Sequence, residues 1–324
     1  MKTAVRIGLL SNGRSRRNRR SLADIGRIAD ASPNLAHIVL DGVSGLEDAL
    51  AEFARREVGV LAVNGGDGTV QAVLTVLLGP RSPFPQPPAL AVVPGGTTNM
   101  TAADVGLRGG RARGLARLLA AMSAGGEGLV ATERHVVGVD RGDGGPVQYG
   151  MFFGTAGICR AIDYCRRAVH PLKVDSGVAS ALTLAGLLAR LPFRRGEGGG
   201  VLAGDRIGVA LDGGGETAAD RFLLLVTTLD RLVLRSRPFW GGGTGGLRYT
   251  SVAWPPRGLL LRAPCVMYGG ATRRLPAGTY DSRRAERIAL TMDCAYTLDG
   301  EMFDPLPGVP LLLQDGGRVA FVRT

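Results

Sequence analysis

The sequence predicts an α/β first half joined to a mainly β second half, the latter interrupted by a helical segment. Three observations predict it. Short apolar runs alternate with helix-period stretches as far as Met122. Two glycine turns, Gly65-Gly66-Asp67-Gly68-Thr69 and Pro94-Gly95-Gly96-Thr97-Thr98-Asn99, follow consecutive runs at corresponding places. Beyond Gly125 the pattern changes to repeated strand-like runs separated by glycine or proline.

The elements follow in order. Val5 to Leu10 reads as a strand, Ser21 to Ala29 as a helix, His37 to Leu40 as a strand and Gly45 to Arg56 as a helix. Val58 to Val63 is the next strand, followed by a helical Thr69 to Leu78, a strand at Leu90 to Val93 and a helical Arg111 to Met122. Such βαβα order needs crossover connections, which predicts a parallel sheet covered on both faces. The second half offers strands at His135 to Val139, Gln148 to Phe153, Arg206 to Leu211 and Phe222 to Thr227. Gly258 to Arg262, Ile288 to Met292 and Val309 to Leu313 continue the series, and a helical interlude spans Ile158 to Leu191. The linker is expected near Gly125 to Gly128, giving domains of 1–127 and 128–304 with 305–324 as a final segment.

Composition narrows the function classes. With 324 residues and 45% hydrophobic content the chain can bury a large core, and its 50 glycines cluster in loops rather than repeating. Only a short apolar run, Ile7 to Leu10, stands near the start, which argues against a secretory signal; a soluble, intracellular protein is expected. Four cysteines without a CxxC pair and three widely spaced histidines argue against zinc. The net charge of +11 implies an anionic partner. With 5% aromatics and none of the usual nucleic-acid signatures, nucleic acid is not the expected one.

The two glycine turns identify that partner chemistry. One Gly-Asp-Gly is ordinary turn chemistry, but two at the same strand-to-helix position place bare backbone amides and helix N-termini on one rim of a sheet. That rim lies outside the carboxyl ends of the strands, where such sheets bind ligands, so the pair reads as a cradle for a nucleotide.

Asn64 to Thr69 (NGGDGT), Pro94 to Asn99 (PGGTTN) with Ala102 and Gly106, and Leu298 to Glu301 (LDGE) resemble the diacylglycerol kinase catalytic-domain family, bacterial lipid kinases related to sphingosine kinases and NAD kinases. Leu10 to Ser15 resembles a degenerate form of that family's first-strand turn. The resemblance implies an N-terminal Rossmann-like nucleotide domain, a C-terminal β-sandwich for the lipid, an active site in the cleft between them, and a chain end returning to the first domain. It also implies ATP held by Asn12, Gly65, Gly66, Gly68, Thr69, Gly95, Gly96, Thr97 and Asn99. Asp67 and Glu301 would serve Mg²⁺, and Asp299 would take the acceptor proton, with Asp67 as its competitor. The implied partners are ATP and a lipid, most simply diacylglycerol, met at the inner membrane surface by a cytoplasmic protein.

Local readings compete at several of these places. Leu298 to Glu301 also fits a plain hairpin turn, Arg14, Arg16 and Arg17 fit a solvated basic face as well as a phosphate contact, and Gly177 to Leu191 fits both core packing and a membrane-surface helix. The chain departs from the family pattern at Gln71 and Ala72 and at Met100, where acidic or amide residues are usual. Two alternatives therefore stand beside a lipid kinase: an inactive nucleotide- or lipid-binding regulator, and a kinase of a soluble acceptor such as NAD.

Overall fold

A computed structural model describes residues 6–169, 203–270 and 275–324. The chain divides into two compact units: the first runs through Arg134 and regains Gly317–Thr324 at the end of the chain, and the second comprises His135–Gly316.

The first unit alternates β1 (Arg6–Asn12), α1 (Asn18–Asp30), β2 (Leu35–Leu40), α2 (Leu46–Arg55), β3 (Val58–Gly65), α3 (Asp67–Leu78) and β4 (Ala89–Pro94), then α4 (Met100–Val105) and α5 (Arg111–Ser123). The strands pair in parallel in the order β4-β3-β1-β2. Their apolar runs are explained by burial on both faces. Ile7 and Leu9 of β1 share a core with Ile25 of α1 and Leu115 and Leu118 of α5. On the other face Gly8 leaves room for the ring of Phe53 from α2, since a Cβ there would stand 2.8 Å from the ring. Helices on both faces make this the doubly covered sheet that the alternation predicts.

The second unit is strand-rich: β5 (Val130–Asp140), which begins in the first unit, β6 (Gln148–Gly150), β7 (Phe152–Ala156), α6 (Gly157–Val169), β8 (Asp205–Leu211), β9 (Thr217–Thr227), β10 (Leu247–Ala253), α7 (Leu259–Tyr268), β11 (Tyr280–Ala285), β12 (Arg287–Met292), β13 (Tyr296–Leu298), β14 (Glu301–Phe303) and β15 (Leu311–Arg323), which ends in the first unit. The long β9 changes partners along its length. Its first half pairs with β8, its second with β7 on one side and β10 on the other, all antiparallel. The core of this unit is apolar and aromatic, with Tyr296 stacked between Phe153 and Phe303 at 5.3 and 5.4 Å.

Four expectations are corrected or extended. Gly258 to Arg262 is not a strand: Gly258, left-handed at φ 67°, starts α7, whose Leu259 and Val266 seat in a small core with Phe222, Val252 and Tyr280. A short apolar run does not separate strand from helix, and the packing secures this helix although Pro264 stands inside it. The polar stretches of β10 and β11 are strands although Thr250 and Ser251 interrupt the apolar pattern; both side chains are buried. Val309 to Leu313 belongs to a strand that starts at Leu311 and continues to Arg323. Of the helical interlude, Gly157–Val169 is α6, while Gly177 to Leu191 lies outside the described residues. Among the described residues no helix is long and apolar enough to cross a membrane.

Candidate active site

The parallel pairing of β3 with β4 runs to their last residues, Gly65 opposite Pro94, so the two glycine turns leave the sheet side by side. The Gly95 amide donates to the Gly65 carbonyl at 2.8 Å and carries the pairing one residue further. Beyond it the backbones press together. A Cβ on Gly96 would stand 2.5 Å from the Gly66 Cα, one on Gly95 3.0 Å from the Gly65 Cα, and one on Gly65 2.5 Å from the Thr69 Cβ. At Gly95 and Gly96 the facing atoms are backbone and at Gly65 they are the branched base of the Thr69 side chain, so glycine is required by close approach rather than by left-handed φ.

Side chains knit this rim. Asp67 heads α3, and its carboxylate accepts from the amides of Met100 at 3.0 Å and Thr101 at 2.9 Å, capping α4 from the first turn of α3. Desolvation raises the pKa of that carboxyl, against the lowering effect of the two amides. Asn99, left-handed at φ 50°, folds back on its own loop: its Oδ1 accepts from the Gly96 amide at 2.7 Å and its Nδ2 donates to the Gly96 carbonyl at 2.8 Å. Asn12 donates to the Thr69 hydroxyl at 2.8 Å, joining the end of β1 to the start of α3. Gly68 is the second residue of α3, and in the second loop Thr97 is half-buried and Thr98 exposed. Among the described residues no side chain caps α3, whose first turn therefore presents its positive end at the rim.

Two residues of this constellation carry no local signal in the sequence. Asn18 sits in an arginine run, yet it is buried and donates to the carbonyls of Asn12 at 2.7 Å and Asn64 at 2.9 Å. Arg111 opens α5 and reaches back to the Asn18 and Asn64 side chains and the Arg17 carbonyl. Burial, then the charge of Arg17, lowers its pKa. Arg14, a phosphate-contact candidate, instead grips Asp41 through two bonds of 2.6 and 2.8 Å on the exposed surface. Arg16 and Arg17 are exposed, and the Arg17 amide bonds the Gly95 carbonyl.

Asp299 and Glu301 belong to the second unit, at the hairpin between β13 and β14. Asp299 and Gly300 are both left-handed, at φ 50° and 94°, as a two-residue hairpin turn requires. The Asp299 carboxylate is 4% exposed and accepts from the amides of Met151 at 2.8 Å and Phe152 at 3.0 Å. Glu301 is exposed. Among the described residues no three His, Cys, Asp or Glu side chains gather as a metal-binding group. Burial pushes the Cys159 thiol up to about 12, so it stays protonated and offers no nucleophile.

The sequence profile of the diacylglycerol kinase catalytic domain matches residues 8–126, the segment that contains both glycine turns. That segment belongs to this family. The fold of the whole chain agrees: the crystal structure of a diacylglycerol kinase from Bacillus anthracis str. Sterne aligns over all of this chain and 97% of its own, at TM-score 0.60 and 16% identity. A second structure from that organism, provisionally assigned the same activity, aligns over equal shares at TM-score 0.64 and 17% identity. No curated protein sequence matches the chain. In the diacylglycerol kinase catalytic domain of this chain, Asp67, Asn99 and the four facing glycines thus form one braced double loop.

Proposed function

We propose that this chain transfers the γ-phosphoryl group of ATP to the hydroxyl of a lipid, diacylglycerol being the simplest acceptor. The observation that carries the reading is the double glycine loop, packed backbone to backbone at the carboxyl rim of a parallel sheet inside a diacylglycerol kinase catalytic domain. Phosphoryl transfer has a loose transition state, so the protein mainly aligns the acceptor and spreads phosphate charge. In this reading the first turn of α3, with Gly66, Gly68 and Thr69, receives the phosphates. Gly65, Gly95, Gly96 and Asn99 hold the loop shape, Asn12 fixes Thr69, and Thr97 lines the second wall.

The donor set suits Mg²⁺, which takes one or two carboxylates and otherwise water and phosphate oxygens. The Asp67 carboxylate is a hard oxygen donor at the rim, and a cation beside it would relieve the desolvation that raises its pKa. Asp67 and Glu301 are the residues proposed to hold it; bound with ATP it would neutralise the β- and γ-phosphates. Asp299 is proposed to accept the proton of the lipid hydroxyl, its carboxylate held in one orientation by the Met151 and Phe152 amides.

Purified protein incubated with γ-labelled ATP, Mg²⁺ and separate diacylglycerol, sphingoid base, ceramide and NAD tests the reading. Label in a lipid is the expected result, with diacylglycerol preferred. Label in NAD alone, or ATP binding with transfer to none of the four, would overturn it in favour of a soluble acceptor or a regulator.

A further inference from the structure

We infer that the outer face of α7, with the adjoining turn at Leu234, is a docking surface for an anionic lipid bilayer. The helix Leu259–Tyr268 is apolar nearly all round, with Arg262 its one charged residue. Such a helix is normally buried on every side. Here only one face is: Leu259 and Val266 are each 9% exposed in their core, whereas Leu261 is 88% and Tyr268 54% exposed. Leu261, Pro264 and Tyr268 are spaced three and four residues apart and so share one face, all three open to solvent.

A second apolar side chain joins that face from another segment. The Tyr268 hydroxyl donates to the Leu234 carbonyl at 3.3 Å, and the Arg237 amide donates to the Met267 carbonyl at 2.7 Å, which ties the turn to the end of α7. Leu234 is 50% exposed and left-handed at φ 58°, as is Arg235 at 59°. Two consecutive side-chain-bearing residues in that region carry a conformational cost, borne in a turn that the bonds to α7 hold with its leucine in water.

The charge around the patch selects its occupant. Residues 231–280 hold eight arginines and neither aspartate nor glutamate, in a chain that carries 28 acids overall. Arg231, Arg235, Arg237 and Arg257 are exposed in the turn and just before the helix. An apolar stripe flanked by guanidinium groups is complementary to acyl chains beneath phosphate headgroups. A second copy of this chain would set the same arginines against each other across a two-fold interface, and a nucleic acid would leave the leucines unused. The inference deepens the lipid-kinase reading, on which it rests for its purpose though not for its geometry: an enzyme acting on a membrane lipid must meet the membrane through some face.

Flotation of the full chain with vesicles of phosphatidylcholine, alone or mixed with phosphatidylglycerol, is the test. Binding to the mixed vesicles only, weakened by salt, is expected. Leu261→Asp with Tyr268→Asp should reduce it by about tenfold or more, as should Leu234→Asp independently. Both variants should keep the wild-type unfolding temperature and full transfer to short-chain diacylglycerol in detergent micelles. Absence of flotation by the wild type, equal flotation by folded variants, or a wild-type dimer that the variants dissociate would each overturn the inference. Flotation without phosphoryl transfer to any lipid would remove the kinase reading and leave the surface standing, whereas micellar transfer without flotation would do the reverse.

Discussion

Asp67 shows how one residue serves both the shape and the chemistry of the rim. Its carboxylate holds two α4 amides while desolvation raises its pKa. A carboxyl raised in the folded state binds its proton more tightly there than in the unfolded chain, so its contribution to stability is lost as pH rises from the ordinary aspartate range through the raised value. Asp67→Asn removes that titration. The stability of the wild type relative to this variant should therefore fall as pH rises through that window, read from paired denaturant curves; a pH-independent difference would contradict the raised pKa. Gly96→Ala and Gly66→Ala test the loop contact from both sides. The former places its Cβ 2.5 Å from backbone and the latter 3.1 Å, so Gly96→Ala should cost about 1–3 kcal/mol and at least tenfold in ATP affinity, and Gly66→Ala clearly less. Calorimetric titration would show it, and equal effects would sink the close-approach argument. The glycines were legible because each stands in a turn bracketed by strand and helix patterns. Asn18 and Arg111 were not, because what they bond lies across the fold and nothing in their neighbours in sequence marks it.

At the scale of elements the alternating first half was readable because parallel strands buried on both faces become continuous apolar runs, as β3 and β4 show. The second half was harder. In β10 and β11 serine, threonine and arginine occupy strand positions whose burial depends on partners far away in the chain, and in α7 a leucine run gave no period to choose by. Pro264 turns that ambiguity into an experiment. Inside a helix it forfeits the bond its amide would give to the Leu260 carbonyl, so Pro264→Ala should stabilise the chain by about 1–2 kcal/mol, the unfolded-state entropy regained by alanine taking back part of the gain. Were the segment an irregular loop with that amide position unbonded, only the unfolded-state entropy would count and alanine would lower stability instead. The midpoint of urea unfolding distinguishes the two.

The last strand contributes residues to each of the two units. β15 leaves the second unit at Gly316, passes through Gly317 at φ 89°, and its final residues lie in the first unit, where Phe321 pairs in parallel with Leu90 of β4. Only the family resemblance implied such a return; local pattern did not, because Asp315-Gly316-Gly317 has the composition of a turn that ends a strand. Val319, Phe321 and Val322 are 3%, 0% and 6% exposed, so the first unit completes its core with side chains that return to it from beyond the second unit. Because the second glycine loop begins where β4 ends, the neighbour that flanks β4 supports that loop as well. Phe321→Ala should therefore cost about 3–5 kcal/mol of stability and, under conditions where the variant is still folded, weaken ATP binding without altering vesicle flotation, which depends on α7 in the other unit. Denaturant curves with calorimetric titration and flotation on the same preparation read all three. Unchanged stability would mean that the first unit does not need its returning strand, and parallel loss of flotation would mean that the two units do not respond separately.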